Sequence, residues 1–272
     1  MDTQLLQDLS GLVVEIAQKA SESIMDVYLS KTVAIRAKKD GSPVTEADIN
    51  SHRIIIQEIK KLPSQFPILS EEGGLVAVDT KEKFWLIDPL DGTKEFINKN
   101  DEFTVNIALI ENGKPVLGVI NAPALKKAYL GILGKGSYKV TDGAFYSIYP
   151  KKIENDVLKI TLSRSHPSSL ETQFINKMSK FFRKVEIIRT GSSLKLCTVA
   201  EGGADIYCRL GPTHQWDIAS GQAIVESVGG FVVDKNLKPL NYTYDLKRKN
   251  PNFFCVPDLS NLWKKIITQS DI

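Results

Sequence analysis

A run of four apolar residues that ends in a carboxylate constrains this chain more than any other stretch. Residues 84–87 (Phe-Trp-Leu-Ile) are aromatic or aliphatic without interruption, which predicts a β-strand buried on both faces. Asp88 follows directly, and Pro89 lacks the N–H that would extend the hydrogen-bond ladder. A turn at Asp91 and a helical turn over residues 93–97 come next. The pattern predicts two acids at the end of a buried strand, beside the start of a helix.

Two acids beside a helix start suit a divalent cation and a phosphoryl group. Carboxylate oxygens are ligands that Mg²⁺ prefers. The free N–H groups of a helix start attract anions, so Asp91, Gly92 and Thr93 are candidates for contact with a phosphate. The alternative is that Asp91-Gly92 is only a turn and Thr93 only an N-cap. A charge beside a core strand costs free energy unless it is paired or bound to metal, which favours a site.

Two more acids stand at the ends of predicted elements in the first half of the chain. A second short strand, predicted at residues 67–70, runs into Glu71, and functional groups collect at strand ends in layered α/β folds. Asp48 follows Thr45 at the spacing of a capping box that would begin the second helix. Glu71 is therefore a candidate for the same site as Asp88, whereas Asp48 has a purely structural alternative.

The second half contains one acid at the start of an apolar helix. Asp217 opens a predicted helix over residues 217–228 that is made of small and apolar residues and ends at Gly229-Gly230. Such a helix should be buried, so its first residue is either satisfied by the helix N-terminus or binds the cation expected at Asp88. Residues 191–195 (Gly-Ser-Ser-Leu-Lys) form another helix start suited to an anion.

The predicted arrangement of helices and strands changes near the middle of the chain. The first half predicts two amphipathic helices, over residues 3–28 and 45–62, on a mostly antiparallel sheet, which is an α+β arrangement. The second half alternates strands and helices, which predicts an α/β arrangement. The polar segment 150–156 is the predicted boundary between an N-terminal domain, 1–155, with most of the acids and a C-terminal domain, 156–272, with Asp217.

The positions of the predicted elements can be stated from periodicity and turn signals. Strands are predicted at residues 33–36, 67–70, 84–87, 103–110, 115–120, 128–133, 143–148, 158–162, 185–189, 205–208, 231–233 and 252–256. Helices of the second half are predicted at residues 169–182, 193–201, 217–228 and 259–268.

Composition narrows the class of protein. A net charge of +3 over 272 residues argues against a nucleic-acid binder. Three scattered cysteines and three isolated histidines fit a reducing compartment and disfavour a zinc site. There is no secretion signal and no apolar run of membrane-spanning length, so we expect a cytoplasmic protein. The sequence leaves open whether it is a monomer or a homodimer and whether it associates loosely with a membrane.

Three motifs together resemble a known family. In chain order they are Ser-Glu-Glu at residues 70–72, Asp-Pro-Leu-Asp-Gly-Thr at 88–93 and Trp-Asp-Ile-Ala-Ser-Gly at 216–221. Their order and separation resemble the inositol monophosphatase superfamily of Mg²⁺-dependent, lithium-sensitive phosphatases. The continuation Lys-Glu-Phe, with residues 163–166, 191–195, 204–209 and 211–213, is similar to its 3'(2'),5'-bisphosphate nucleotidase branch. The resemblance implies a layered αβαβα sugar-phosphatase fold.

The resemblance also implies a role for each site residue. It places two or three Mg²⁺ ions among five ligands: Glu71, Asp88, the Leu90 carbonyl, Asp91 and Asp217. Thr93 and Glu71 would position the attacking water, and Asp48 would hold the Thr93 hydroxyl or share the outer metal. The residues at the substrate end would be His166, Gly191, Ser193, Lys195 and Arg209. His214-Gln215 depart from the branch, which often has an acid just before Trp216.

The activity that the resemblance implies is removal of the 3'-phosphate from adenosine 3',5'-bisphosphate, or from its 5'-phosphosulfate analogue. Inositol monophosphate and fructose 1,6-bisphosphate are the nearest alternative substrates. A non-catalytic nucleotide or phosphate sensor is a second alternative, but it should lack a metal carboxylate. A covalent aspartyl-phosphate mechanism would need acids two residues apart on one strand, whereas Asp88 and Asp91 are three apart.

Overall fold

A large, mostly antiparallel sheet forms the first half of the fold. The computed structural model describes residues 2–30, 35–37, 41, 43–75, 82–151, 153, 156–165 and 168–269. A small ribbon pairs β1 (Ile35–Ala37) with β2 (Pro43–Thr45). The large sheet consists of β3 (Ile68–Ser70), β4 (Gly74–Leu75), β5 (Lys83–Asp91), β6 (Thr104–Glu111), β7 (Lys114–Ala122), β8 (Lys127–Ile132), β9 (Gly136–Thr141) and β10 (Ala144–Ser147). Its order is β10-β9-β8-β7-β6-β5-β3-β4, with only β3 and β5 parallel.

Two helices cover one face of this sheet, because each has an apolar stripe at helical spacing. The first, α1 (Thr3–Tyr28), has the predicted bounds and begins where the Asp2 side chain accepts a hydrogen bond from the Gln4 N–H. The second, α2 (Glu46–Ile59), begins at the Thr45 cap. Their buried side chains pack with Trp85, Ile87 and other residues of the sheet in one hydrophobic core.

The second half of the chain adds a smaller sheet and four helices. The strands are β11 (Val157–Ser163), β12 (Lys184–Thr190), β13 (Ile206–Arg209), β15 (Phe231–Val233) and β17 (Phe253–Val256), in the order β12-β11-β13-β17-β15. The helices are α4 (Ser169–Met178), α5 (Leu194–Ala200), α6 (Ala219–Ser227) and α7 (Asn261–Thr268). A short helix, α3 (Thr93–Ile97), precedes them, and β14 (Thr213–His214) pairs with β16 (Lys249–Asn250).

These elements stack in five layers. Side chains of α5 and α6 pack between the two sheets, in a core that contains Phe84 and Leu86 from one sheet and Tyr207 and Phe253 from the other. Side chains of α4 and α7 cover the outer face of the smaller sheet. The predicted αβαβα fold is confirmed. The division at residue 155 stays a prediction, since the central core takes side chains from both halves.

Close approach of α6 to the large sheet depends on glycines in the strands. A Cβ on Gly118 would lie 2.3 Å from the Ser220 carbonyl oxygen, and a Cβ on Gly131 would lie 2.5 Å from the Ile224 Cα. Both distances are below any real Cβ contact, so these strand positions accept only glycine without a shift of the helix. The layer that carries α6 is therefore held directly against the sheet that carries the first acids.

Several predicted elements differ from the structure. Strand β9 was not predicted because residues 136–141 are largely polar, yet β9 pairs with both β8 and β10. Strands β14 and β16, which pair with each other, are too short to give a periodicity signal in the sequence. Helix α4 ends at Met178 rather than at residue 182. Residues 33 and 34 of the first predicted strand lie outside the described residues. Within the described ranges, no helix combines the length and apolar character needed to cross a bilayer.

Candidate active site

A β-bulge brings Asp88 and Asp91 to the same cavity. The sequence predicted that this strand ends at Ile87, before Pro89, but β5 continues to Asp91. Asp88 pairs with Asn106, and Asp91 pairs with Thr104. Three steps along β5 therefore match two steps along β6, and the extra residue is the bulge. In a regular strand, residues three apart face opposite sides. The bulge cancels that alternation, so that both acids line one cavity of about 510 Å³.

Local hydrogen bonds hold the bulge in place. The Asp88 carboxylate, which is 2% exposed, accepts a hydrogen bond from the Leu90 N–H at 3.1 Å. The Ser51 hydroxyl of α2 donates to the Pro89 carbonyl at 2.7 Å. Since these bonds satisfy backbone groups that the ladder leaves unpaired, the irregular segment is a built feature of the site.

Asp91 connects the large sheet to the second half of the chain. One of its oxygens accepts hydrogen bonds from the Ser192 hydroxyl at 2.6 Å and from the Ser193 N–H at 2.7 Å. The Asn106 amide approaches the same oxygen at 3.5 Å. Ser193 is the N-cap residue of α5, so the helix start that the sequence marked as suited to an anion contacts a carboxylate of the protein itself.

Asp48 has both of the roles that its sequence context suggested. Its Oδ2 accepts hydrogen bonds from the Thr45 N–H and hydroxyl, each at 2.7 Å, and completes a capping box. Its Oδ1 accepts a hydrogen bond from the Thr93 hydroxyl at 3.3 Å. The Leu90 carbonyl lies 3.4 Å from the same hydroxyl. The cap of α3 is Gly92, with φ of 87°, so Thr93 is not an N-cap.

Glu71 and Asp217 reach the cavity from separate layers. Glu71 follows β3, and its N–H donates to the Ile87 carbonyl at 3.1 Å, which places it beside Asp88. Asp217 lies before α6, which begins at Ala219, and its Oδ2 accepts a hydrogen bond from the His214 N–H at 2.9 Å. The alternative that Asp217 is satisfied by its own helix N-terminus is therefore wrong. Both side chains line the cavity.

The acids of the cavity destabilise one another's charged forms. Burial is the largest cause that raises the pKa of Asp88, followed by the charge of Glu71. Burial also raises the pKa of Asp217, and the charge of Asp91 is the next cause. For Asp91, burial raises the pKa, while the Ser192 hydrogen bond lowers it. Asp88, Asp91 and Asp217 therefore lack enough positive charge from the protein to ionise freely.

Basic side chains line another part of the same cavity. Lys195, in α5, is 6% exposed, and burial lowers its pKa while the charge of Asp91 raises it. Arg209, at the end of β13, donates to the Pro212 carbonyl at 3.2 Å. Ser193 lines the cavity as well. The cavity thus contains acids together with the basic residues Lys94, Lys195 and Arg209, which is the charge pattern for a metal and a multiply charged anion.

One predicted substrate residue, Gly191, does not line this cavity. Gly191 is buried outside the cavity wall, and its N–H donates to the Glu102 carboxylate at 2.7 Å. A Cβ there would lie 2.7 Å from the Glu95 Cγ, which accounts for the glycine by packing. His166 lies outside the described residues.

Comparison with known proteins agrees with the fold and the motifs. The model of the inositol monophosphatase family matches residues 5–252. This chain belongs to the inositol monophosphatase family.

Relatives of known name extend over nearly the whole chain. A protein of Salmonella typhimurium named 3'(2'),5'-bisphosphate nucleotidase CysQ is 42% identical over 89% of this chain and 96% of its own length. One of the same name from Aggregatibacter actinomycetemcomitans is 38% identical over 98% and 97%. The crystal structure of CysQ from Bacteroides thetaiotaomicron has a TM-score of 0.78 at 35% identity, covering 92% of this chain and 98% of that one. These likenesses indicate a phosphatase enzyme.

Members of the inositol monophosphatase family generally depend on Mg²⁺, and the donors present here fit that ion. Carboxylates and the Leu90 carbonyl are the hard oxygen ligands that Mg²⁺ takes. The raised pKa values of Asp88 and Asp217 show where a cation would relieve repulsion. Among the described residues, no group of three acidic, histidine or cysteine side chains is already close enough together to hold a metal ion.

The sequence predicted no contact or site role for several residues that line the cavity or approach its acids. Ser192 reaches Asp91 only because its backbone has a positive φ of 53°. Asn106 carried a signal, as a polar residue inside an apolar strand pattern. Glu95 lines the cavity and is 4% exposed, yet only the helical spacing from Asp91 pointed to it. His214 also lines the cavity.

Proposed function

We propose that this chain is a Mg²⁺-dependent phosphomonoesterase that removes the 3'-phosphate of adenosine 3',5'-bisphosphate to give adenosine 5'-monophosphate and phosphate. The observation that carries the proposal is one cavity lined by Glu71, Asp88, Asp91 and Asp217 and also by Lys195 and Arg209. The relatives named bisphosphate nucleotidase, at 38–42% identity, support the same reaction. The 3'-phosphoadenosine 5'-phosphosulfate is a second candidate substrate, because it carries the same 3'-phosphate.

The acids and one carbonyl are the proposed metal ligands. Two or three Mg²⁺ ions would be held by five groups: Glu71, Asp88, the Leu90 carbonyl, Asp91 and Asp217. When bound, Mg²⁺ supplies Lewis-acid stabilisation of the phosphoryl oxygens and lowers the pKa of a bound water. No nucleophilic side chain is required, which agrees with the absence of serine or cysteine nucleophile motifs in the sequence.

Thr93 and Asp48 are proposed to position the attacking water. The Asp48 carboxylate accepts a hydrogen bond from the Thr93 hydroxyl at 3.3 Å, so the lone pairs of that hydroxyl remain available to accept a hydrogen bond from water. Asp48 is itself fixed by the Thr45 capping box, and therefore it orients Thr93 without a large loss of side-chain entropy. Glu71 is the proposed second partner of that water.

The basic side chains favour a substrate with a second anionic group. Lys195 and Arg209 lie on the cavity wall, where they can offset the charge of a bisphosphate better than that of a neutral cyclitol ring. Ser193 and His166 are proposed contacts at the same end. Inositol 1-phosphate and fructose 1,6-bisphosphate are therefore the comparison substrates.

A phosphate-release panel tests the proposal. The protein is assayed with adenosine 3',5'-bisphosphate, 3'-phosphoadenosine 5'-phosphosulfate, inositol 1-phosphate and fructose 1,6-bisphosphate, with and without Mg²⁺ and with added Li⁺. We expect release from the two adenosine compounds to be fastest, to require Mg²⁺ and to fall with Li⁺. Faster release from inositol 1-phosphate or fructose 1,6-bisphosphate would overturn the substrate assignment, and Mg²⁺-independent release would overturn the metal assignment.

A further inference from the structure

Two aromatic rings stack on each other in the turn that carries Asp217. The rings of His214 and Trp216 have centroids 4.6 Å apart and planes that differ by 3°. Trp216 is 5% exposed and packs in the core between the sheets. His214 is only partly buried and lines the cavity. The imidazole is therefore held against Trp216 at the cavity wall.

Hydrogen bonds of the surrounding backbone hold this ring in position. The His214 N–H donates to Asp217, and its carbonyl accepts a hydrogen bond from the Asn250 amide at 2.7 Å. The neighbouring Gln215 is fully buried, and its side chain makes three hydrogen bonds to the backbone of Thr243 and Asp245. An acid at position 215 could not donate to those two carbonyls. The departure from the branch at residues 214–215 thus builds a rigid turn.

Among the aromatic residues of the described cavity wall, His214 is the one that is not fully buried. The aromatic side chains among the described cavity residues are Tyr207, His214 and Trp216. Tyr207 is 2% exposed, contacts Phe253 edge-on and lies beneath the Lys195 ammonium. A flat base needs a flat partner, and aromatic stacking recognises bases through their π-faces. A cavity of about 510 Å³ is within the range that holds a nucleotide-sized ligand.

We infer that His214 is a specificity-determining residue whose ring stacks against the purine base of the substrate. This inference rests on the proposed function, because it assumes a nucleoside bisphosphate in the cavity. The base lies against a ring that is already fixed by Trp216, so little side-chain entropy is lost when it binds. His214 then adds selectivity for nucleosides over sugar and cyclitol phosphates.

The test compares two substrates that differ only by the base. Adenosine 3',5'-bisphosphate and ribose 3,5-bisphosphate are assayed with the wild type, His214→Ala and His214→Phe, in saturating Mg²⁺. We expect the ratio of the two kcat/KM values, nucleotide over base-free sugar, to fall about 10-fold or more in His214→Ala, the loss expected from one base–aromatic stack. The change should be in KM for the nucleotide, and His214→Phe should keep the ratio within about threefold of the wild type because it retains a flat ring.

The outcomes are distinguishable from failure of the proposed function. If the wild type releases phosphate from neither bisphosphate, the proposed function fails, and this inference fails with it. If the wild type is active but the ratio does not change in His214→Ala, the base does not contact this ring. If both substrates are weakened equally, His214 acts through the Asp217 turn. Either of the last two results overturns the inference alone, and thermal unfolding confirms that the variants compared are folded.

Discussion

The carboxylate of Asp91 accepts a hydrogen bond from the backbone N–H of Ser193 at 2.7 Å, although the two residues are 102 positions apart. One partner belongs to the bulged strand of the large sheet, and the other caps a helix that packs between the sheets. The bond ties an acid of the cavity to the helix that carries Lys195, which follows Ser193 in the same helix turn. The distance between the two kinds of charge is therefore set by the packing of layers.

Replacing Asp91 or Asp217 by asparagine should abolish Mg²⁺-dependent phosphate release. Asparagine keeps the size and one acceptor oxygen but removes the negative charge that a cation requires. We expect a fall in kcat/KM of at least about 100-fold, measured with adenosine 3',5'-bisphosphate. Asp8→Asn, an exposed change in α1, is the matched control and should behave as the wild type. Near-normal turnover in either site variant would refute the ligand assignment.

The metal-free form of Asp217→Asn should unfold at a higher temperature than the metal-free wild type. Burial and the charges of Asp91 and Glu71 raise the pKa of Asp217, so its ionised form is unfavourable in the folded protein without a cation. Removing the charge while retaining an acceptor for the His214 N–H relieves that cost. The unfolding midpoint should rise by roughly 2–4 °C for each kcal/mol by which the free energy of unfolding increases. Calorimetry in the presence of a chelator measures this midpoint. A lower midpoint would show that the acids do not repel one another.

Removing the Thr93 hydroxyl should slow the chemical step more than it weakens substrate binding. Thr93→Ala eliminates the group that Asp48 orients, and we expect kcat to fall roughly 100-fold, the scale of a lost positioning or proton-transfer contact. KM should change much less. Thr93→Ser retains the hydroxyl and should recover most of the rate. Equal activity of the alanine and serine variants would remove Thr93 from the mechanism.

Adding one methyl group at Gly118 should destabilise the fold. The Cβ would lie 2.3 Å from the Ser220 carbonyl and 2.7 Å from the Ala223 Cβ, so α6 must move away from β7. We expect Gly118→Ala to lower the free energy of unfolding by roughly 1–3 kcal/mol. Gly11→Ala is the matched control, because nothing lies within 4 Å of its Cβ position in α1. The free energy of unfolding of Gly11→Ala should rise by roughly 0.5–1 kcal/mol, because alanine has the higher helix propensity. Urea unfolding of the two variants and the wild type measures both changes.

Stability should fall as the pH rises toward 7, because of Glu226. Burial raises the pKa of Glu226 to about 7, while its hydrogen bond from Gln222 lowers it. The folded state therefore binds a proton between the unfolded pKa near 4.5 and about 7, so stability declines across that window. We expect a loss on the order of 2 kcal/mol. Glu226→Gln should be free of this component, and an identical pH profile in both proteins would contradict the assignment.

Local patterns predicted much of the fold because their physical causes are local. The apolar stripe of α1 and its Asp2 cap define the helix within its own sequence. The Asn112-Gly113 turn, with φ of 50° and 78°, joins β6 to β7, and Asn-Gly is a strong local signal for such a hairpin. Strand β9 escaped prediction because its partners, rather than its own polar sequence, stabilise it.

The candidate site also combines features that the local sequence predicts with features that it does not. That acids would end strands β3 and β5 could be predicted, since a buried apolar run must stop where a charge begins. That Asp88 and Asp91 face one cavity could not, because a regular strand would point them apart. The bulge against β6 decides it. The sequence also left open whether Thr93 is an N-cap. The structure decides this, because Gly92 occupies the cap position of α3.

The sequence by itself determined which residues bear charge and which segments form the helices and most strands, because capping, periodicity and turn preferences act over a few residues. Only the tertiary structure decided that Asp217 accepts from the His214 N–H, that Asp91 joins Ser193 and that the His214 ring lies on Trp216. Those relationships depend on the stacking of layers against one another. That stacking depends on how side chains fill the space between two sheets, which no local pattern records.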